Sequence, residues 1–187
     1  MTITDLLLPT YRQNLQALCT WLGKAREQKG GADGLMAARL APDMFPLATQ
    51  VRFACLQACE GVHRLRHERF PPALDELLEE GRGGGERPGT IIEAMARIDE
   101  TLTFVNGLDH EATLDGGAKQ PLALELPMGL AFDLDGERYV RDWALPQFYF
   151  HITTAYAILR KEGVVLGKAD YVPYMFAYLR PQTAPTG

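Results

Sequence analysis

Apolar residues recur at helical spacing in four long segments of this chain, and glycine or proline separates the segments. The clearest runs from Thr4, a candidate N-cap, to about Lys29. A period of this kind places one apolar face along a helix, and that face must be buried against other helices. The pattern predicts an all-α protein, and four such helices predict a four-helix bundle. The apolar stripe of the first helix consists of Leu7, Tyr11, Leu15, Leu18 and Leu22.

The sequence predicts the other three long helices from about Pro46 to Arg66, from about Thr90 to Asn106, and from Gln147 to Glu162. Asp43 is a candidate cap for the second of the four. We expect Pro146 to kink or restart the last helix, whose first turn begins near Glu137, because proline has no N–H to donate.

Two further stretches break the helical pattern. Leu122–Leu126 and Leu130–Leu134 alternate around Pro127-Met128-Gly129, which predicts a small β-hairpin inserted before the last long helix. Gly81–Gly85 follows the acidic segment Leu74–Glu80, and this composition is typical of an exposed, mobile connection with only one or two helical turns. We therefore expect deletion of residues 81–85 to cost the fold little.

Composition limits the class of protein. At 187 residues with 47% hydrophobic content, the chain suits one globular domain, which we place at residues 1–172 with a C-terminal tail at 173–187. Lys and Arg number 19 and Asp and Glu 24, so the net charge of −5 disfavours a nucleic-acid partner. No run approaches the roughly 18 apolar residues of a membrane span, so no membrane partner is predicted.

The cysteines indicate a compartment. Cys19, Cys55 and Cys59 form no C-x-x-C pair, and an odd number cannot close a disulfide framework. The first residues lack the basic leader of a signal peptide. Reduced thiols without a leader predict a cytoplasmic protein.

Two stretches are specific enough to carry a resemblance. Residues 38–47 read ARLAPDMFPL and residues 145–160 read LPQFYFHITTAYAILR, with Gly163-Val164 and LGKADY at 166–171 following. Together they resemble an uncharacterised bacterial and fungal family of the DinB/YfiT-like helical-bundle superfamily, over residues 1 to about 172. The glycine-rich stretch from Glu79 to Arg87 looks like an insertion in that family. The resemblance implies a DinB-like four-helix bundle, and the family has no established activity.

The resemblance also implies where a pocket lies. Metal-dependent enzymes of the wider superfamily use one histidine on the second helix and two at i, i+4 on the last, a spacing that brings two imidazoles to one metal. Here His151 matches the first of the late pair, but Ala155 stands at the second, and Gln50 falls near the second-helix position. A divalent metal is therefore disfavoured, and the cofactor stays undetermined.

His151 lies on the inward stripe of the last helix, and two interpretations remain open. It is either a pocket ligand or general base, or a core histidine satisfied by a single acceptor. The nearest polar candidates from the other motif are Arg39, Asp43 and Gln50. Phe148 and Tyr149 either line an apolar pocket or belong to the core.

Other pairs at helical spacing have plainer interpretations. His63 and His67 stand among arginines, which oppose a metal cation, so we interpret them as a solvated helix end. Cys55 and Cys59 are interpreted as small core residues. The chain has neither a phosphate-binding glycine loop with its Lys-Ser/Thr nor a G-x-S-x-G elbow.

Three functions follow as hypotheses. The leading one is a small-molecule-binding bundle whose pocket lies between the second and last long helices, with His151 as its polar anchor. The alternative is a DinB-like metal- or thiol-dependent transferase or isomerase, its metal held by His151 with Gln50 or Asp43. The third is a structural or regulatory homodimer, since bundles of this superfamily pair through helix faces.

Overall fold

The computed structural model describes residues 1–108, 114–126 and 129–180. Two short strands, β1 (Pro121–Glu125) and β2 (Ala131–Asp135), pair in antiparallel register. Short 3₁₀ helices lie at Ala32–Ala37, Leu114–Gly117 and Pro173–Tyr178. The helices, in chain order, are α1 (Ile3–Gln28), α2 (Leu47–Leu65), α3 (Pro72–Gly83), α4 (Ile91–Asn106), α5 (Gly136–Tyr139), α6 (Leu145–Lys161) and α7 (Lys168–Tyr171).

Four of these helices, α1, α2, α4 and α6, form the bundle, and the predicted fold class is confirmed. Their apolar stripes meet in one core, in which each fully buried leucine contributes about 1.5–3 kcal/mol. The predicted stripe of α1 is completely buried. Helix α2 lies at the centre and packs against α3, α4 and α6. No helix in the described part of the chain is long and apolar enough to cross a membrane.

Helix α1 begins earlier than predicted, because Thr2 rather than Thr4 caps it. The Thr2 hydroxyl accepts from the Asp5 N–H, and the Asp5 carboxylate accepts from the Thr2 N–H in return. Thr4 serves a longer-range contact, since its N–H donates to Asp115 Oδ1 over 3.2 Å. A reciprocal box of the same kind, Thr90 with Glu93, begins α4 as predicted.

The prediction that Asp43 caps α2 is wrong. Pro46 is the residue before the helix, and Asp43 is exposed in the preceding turn. The Leu47 N–H donates instead to the Ala38 carbonyl over 2.9 Å, so the returning backbone satisfies the helix start without a side chain.

The last helix passes through Pro146 because the helix turn just before it is wider than an α-helical turn. Between α5 and α6 the residues Val140–Ala144 form a π turn, closed by the Leu145 N–H donating to the Val140 carbonyl. A proline ring clashes with the carbonyl four residues before it in a regular helix, and a wider turn relieves the clash. The helical run therefore continues through Pro146, which lies in the first turn of α6.

The expectation for the glycine-rich stretch is wrong. Residues 72–83 form the three-turn helix α3, packed on α2, and Leu74, Leu77, Gly81 and Gly84 are buried. The absence of a side chain is what permits this contact: a Cβ on Gly81 would lie 2.3 Å from Phe53 Cε1. Here glycine provides close approach between helices rather than mobility.

The predicted hairpin is confirmed, although Pro127 and Met128 of its turn lie outside the described residues. Leu122 and Leu124 of β1 are buried on its inner face. Its base crosses the end of α2, where a Cβ on Gly117 would lie 2.1 Å from the Leu65 carbonyl oxygen and a Cβ on Gly136 2.2 Å from the Gly117 oxygen. Three backbone segments therefore meet with no room for a side chain.

The end of the described chain packs back on α1. The Trp21 Nε1–H donates to the Asp170 carbonyl over 2.8 Å, and the Trp21 ring stacks on Tyr171. Beyond it, Met175, Phe176 and Tyr178 are exposed, and residues 181–187 of the predicted tail lie outside the described chain.

Candidate functional site

Of the polar candidates near His151 that the sequence offers, Gln50 is in direct contact with it. His151 of α6 donates from Nδ1 to Gln50 Oε1 of α2 over 2.9 Å, and both residues are buried. Gln50 Nε2 in turn donates to the Phe45 carbonyl over 3.1 Å. The carbonyl can only accept, so it fixes the amide orientation, and the amide oxygen then fixes the imidazole tautomer.

This chain of hydrogen bonds leaves the Nε2 atom of His151 with a lone pair. None of the described residues hydrogen bonds to Nε2. Burial lowers the pKa of His151 from its ordinary value near 6.5 to about 4, because desolvation penalises the charged ring. At neutral pH the site therefore presents a neutral imidazole whose free nitrogen is a hydrogen-bond acceptor.

Aromatic rings surround the imidazole. Phe53 and Phe150 each meet it edge to face, with ring centroids 5.4 Å and 5.3 Å away. Phe45 packs on Phe53 at 5.7 Å and is half exposed. Phe150 is also half exposed, so apolar surface continues from the buried imidazole to the outside of the bundle.

Sequence reasoning found part of this site. Gln50 and His151 are brought together, whereas Asp43 is exposed and hydrogen bonds to neither of them. Phe148 points into the core, where its ring meets Tyr11 at 4.8 Å, and Tyr149 is mostly on the outer surface beside it. Phe148, three residues before His151, lies on the same inward side of α6, whereas Tyr149, two residues before it, lies about 160° away around the helix and faces outward.

Arg39, the remaining polar candidate, hydrogen bonds away from His151. Its Nη1 donates to the Met44 carbonyl over 2.6 Å, within the segment that leads into α2. It therefore stabilises the entry to the helix.

Phe150 belongs to the aromatic set of the last helix that the sequence offers either as a pocket lining or as core, whereas the sequence interpretation missed Phe53 and Phe45. The signal was present for Phe53, which follows Gln50 by three residues on α2. Only the fold shows that Phe45 packs on Phe53.

The residues at the superfamily's metal positions do not fit a metal. Ala155 has no ligating atom, and Gln50 Oε1 is occupied by the imidazole Nδ1–H. In the described residues, no group of three or more His, Cys, Asp or Glu side chains could hold an ion. One imidazole nitrogen alone falls well short of the ligand set that zinc takes.

The structure also shows the surroundings of the two other pairs at helical spacing, His63 with His67 and Cys55 with Cys59. His67 lies beyond α2 with a φ of 53°, so it does not share a helical face with His63. His63 is not a solvated residue: it is largely buried, donates from Nδ1 to Glu68 over 3.0 Å and stacks on Phe104. Burial raises the pKa of the Cys55 and Cys59 thiols to about 12, so they are inert core groups.

The fold and the contact between α2 and α6 define a DinB-like helical bundle. This chain belongs to the DUF1993 family of domains of unknown function, whose family model matches residues 3–172. A crystal structure of a DinB family member protein from Shewanella denitrificans is 31% identical to it, with a TM-score of 0.71, over 98% of this chain and 96% of that one. No curated protein gives a significant match.

Proposed function

We propose that this protein binds a small molecule between α2 and α6, with His151 as the polar anchor. The observation that supports this most is the hydrogen bond from His151 Nδ1 to Gln50 Oε1, because it dedicates Nε2 to accepting. Because the His151 ring is buried and oriented and its Nε2 lone pair is free, Nε2 can accept one hydrogen bond from a donor group of a ligand.

The surroundings of His151 indicate the class of ligand. An N–H or O–H group would donate to Nε2, and an attached ring would pack against Phe53 and Phe150, which already meet the imidazole edge to face. A pKa of about 4 makes this imidazole a weak base, so we propose recognition rather than proton transfer. The metal-dependent alternative has no comparable support, since Ala155 offers no ligand.

A thermal-shift screen tests the proposal. Phenols, indoles, thiols and divalent metal ions are compared on the wild type, His151→Phe and Thr154→Val. Thr154 lies on the same helix and donates only to the Phe150 carbonyl, so its variant also removes a buried polar atom but leaves Nε2 intact. A phenol or indole should stabilise the wild type and Thr154→Val, in proportion to the logarithm of its concentration over Kd, but not His151→Phe.

Two results would contradict this proposal. One is stabilisation of His151→Phe by the same compounds to the same extent as the wild type. The other is a wild type stabilised by no phenol or indole but by about one equivalent of a metal ion, which would favour the enzyme hypothesis instead.

We also propose that a second copy of the chain packs on the outer face of α6. No Asp, Glu, Lys or Arg occurs from Trp143 to Leu159, although Tyr149, Phe150 and Thr153 are exposed there. A helix facing solvent normally carries charged residues on its outer side, and an uncharged aromatic one is typical of an interface.

A further inference from the structure

Helices α2 and α3 pack in opposite directions and are closest at one end. There, a Cβ on Gly81 would meet the Phe53 ring, and one on Gly84 would lie 2.6 Å from Thr49 Oγ1. The Thr49 hydroxyl donates to the Gly81 carbonyl over 2.8 Å, which ties the two backbones together. Toward the other end of α3, the buried positions are leucines, Leu74 and Leu77, rather than glycines.

A cleft lies at this leucine end of α3, between α2, α3 and α4. Its cavity volume is about 270 Å³. Leu74 and Leu77 of α3 form one wall, Phe104 of α4 forms another, and Cys59 and His63 of α2 line the floor. The Phe104 and His63 rings are stacked at 5.2 Å, so the cleft has a flat aromatic side.

The charged residues at the margin of the cleft are already paired. Arg97 donates from Nε and Nη2 to Glu80 and from Nη1 to Glu100. His63 Nδ1 is bound to Glu68. Burial raises the pKa of the Cys59 thiol to about 12, so the floor carries a neutral S–H. No free charge on these residues therefore selects an ionic ligand.

We propose that this cleft is a binding site for a neutral, planar, apolar molecule of one or two aromatic rings. The volume suits that size, since an apolar cavity of about 150 Å³ is enough to bind benzene. Apolar walls with a few fixed polar groups are also the usual composition of a ligand pocket. Neither His151 nor Gln50 lines this cleft, so the site does not depend on the one around His151.

Quinoline is a suitable probe because it is planar, has two rings and carries no N–H or O–H to donate to His151. We expect saturable shifts in the NMR signals of the Leu74 and Leu77 methyls on titration above neutral pH. Nuclear Overhauser contacts from quinoline protons to those methyls in the wild type locate the probe without relying on any variant.

The variant Ala73→Trp fills the mouth of the cleft from an exposed position of α3. The matched control is Ala96→Trp, on the exposed surface of α4 and outside the cleft lining. The first should weaken quinoline binding by about ten-fold or more, since the ring loses its buried surface, and the second should leave it unchanged. His151→Phe should also bind quinoline as the wild type does.

Absence of saturable shifts, contacts only to residues around His151, or equal binding by Ala73→Trp would each overturn the cleft site. Loss of binding in His151→Phe alone would overturn it as well, because the probe would then be occupying the other site.

Discussion

At the residue scale, His151 makes stability depend on pH. Its pKa is about 4 when folded, against about 6.5 for an unfolded histidine. The unfolded chain therefore binds more protons between these values, and the stabilisation, fully present above about pH 6.5, is lost as the pH falls toward 4. The shift corresponds to roughly 3 kcal/mol.

Urea unfolding at a series of pH values measures this dependence. The difference in unfolding free energy between wild type and His151→Phe should change steadily between about pH 6.5 and 4 and level off on either side. His67→Gln, which alters an exposed histidine, should follow the wild type. Parallel profiles for wild type and His151→Phe would show that the imidazole is not buried as described.

At the element scale, α3 depends on glycine for its contact with α2, and two helical glycines make a matched test. Gly81→Ala would force a Cβ into Phe53, whose ring is held between Phe45 and His151. Overpacking of this kind costs ~1–3 kcal/mol and outweighs the helix-propensity gain of about 1 kcal/mol. Gly23→Ala in α1 meets nothing within 4 Å and should stabilise by ~0.5–1 kcal/mol.

Thermal and urea unfolding of the two variants should therefore move in opposite directions. A stabilised Gly81→Ala would mean that α3 is not in close contact with α2. For the same reason, deletion of residues 81–85 is no longer expected to be mild, because it would remove the end of α3 that is tied to Thr49.

The helices that the sequence predicted well are those in which burial repeats along the chain. The stripe of α1 is an example, because its five buried residues recur at helical spacing and so all indicate the same inward face. The glycines of α3 were misread because composition does not distinguish a glycine that loosens a loop from one that lets two helices touch. Likewise, the family resemblance placed Gln50 near the pocket position opposite His151, but the tautomer depends on the Phe45 carbonyl, which no sequence pattern encodes.

At the scale of the whole molecule, the proposed dimer covers the outer face of α6. Sedimentation equilibrium should show a concentration-dependent dimer for the wild type. Phe150→Glu, which places a charge on the uncharged face of α6, should shift it toward monomer by about ten-fold or more in dissociation constant, as burying an unpaired charge is costly. Arg138→Glu, an exposed change outside that face, serves as the control. A wild type that stays monomeric at all concentrations would contradict the interface.

The crossing of Gly117, Gly136 and the Leu65 carbonyl has a consequence for how this chain can vary over time. Any replacement of glycine adds at least a Cβ, and at this crossing that atom would meet backbone, which cannot rotate aside. The outward residues of the strands between them, such as Ala123 and Glu125, meet no such limit. Inherited change should therefore accumulate within the hairpin, while the two glycines at its base stay fixed in lineages that keep the fold.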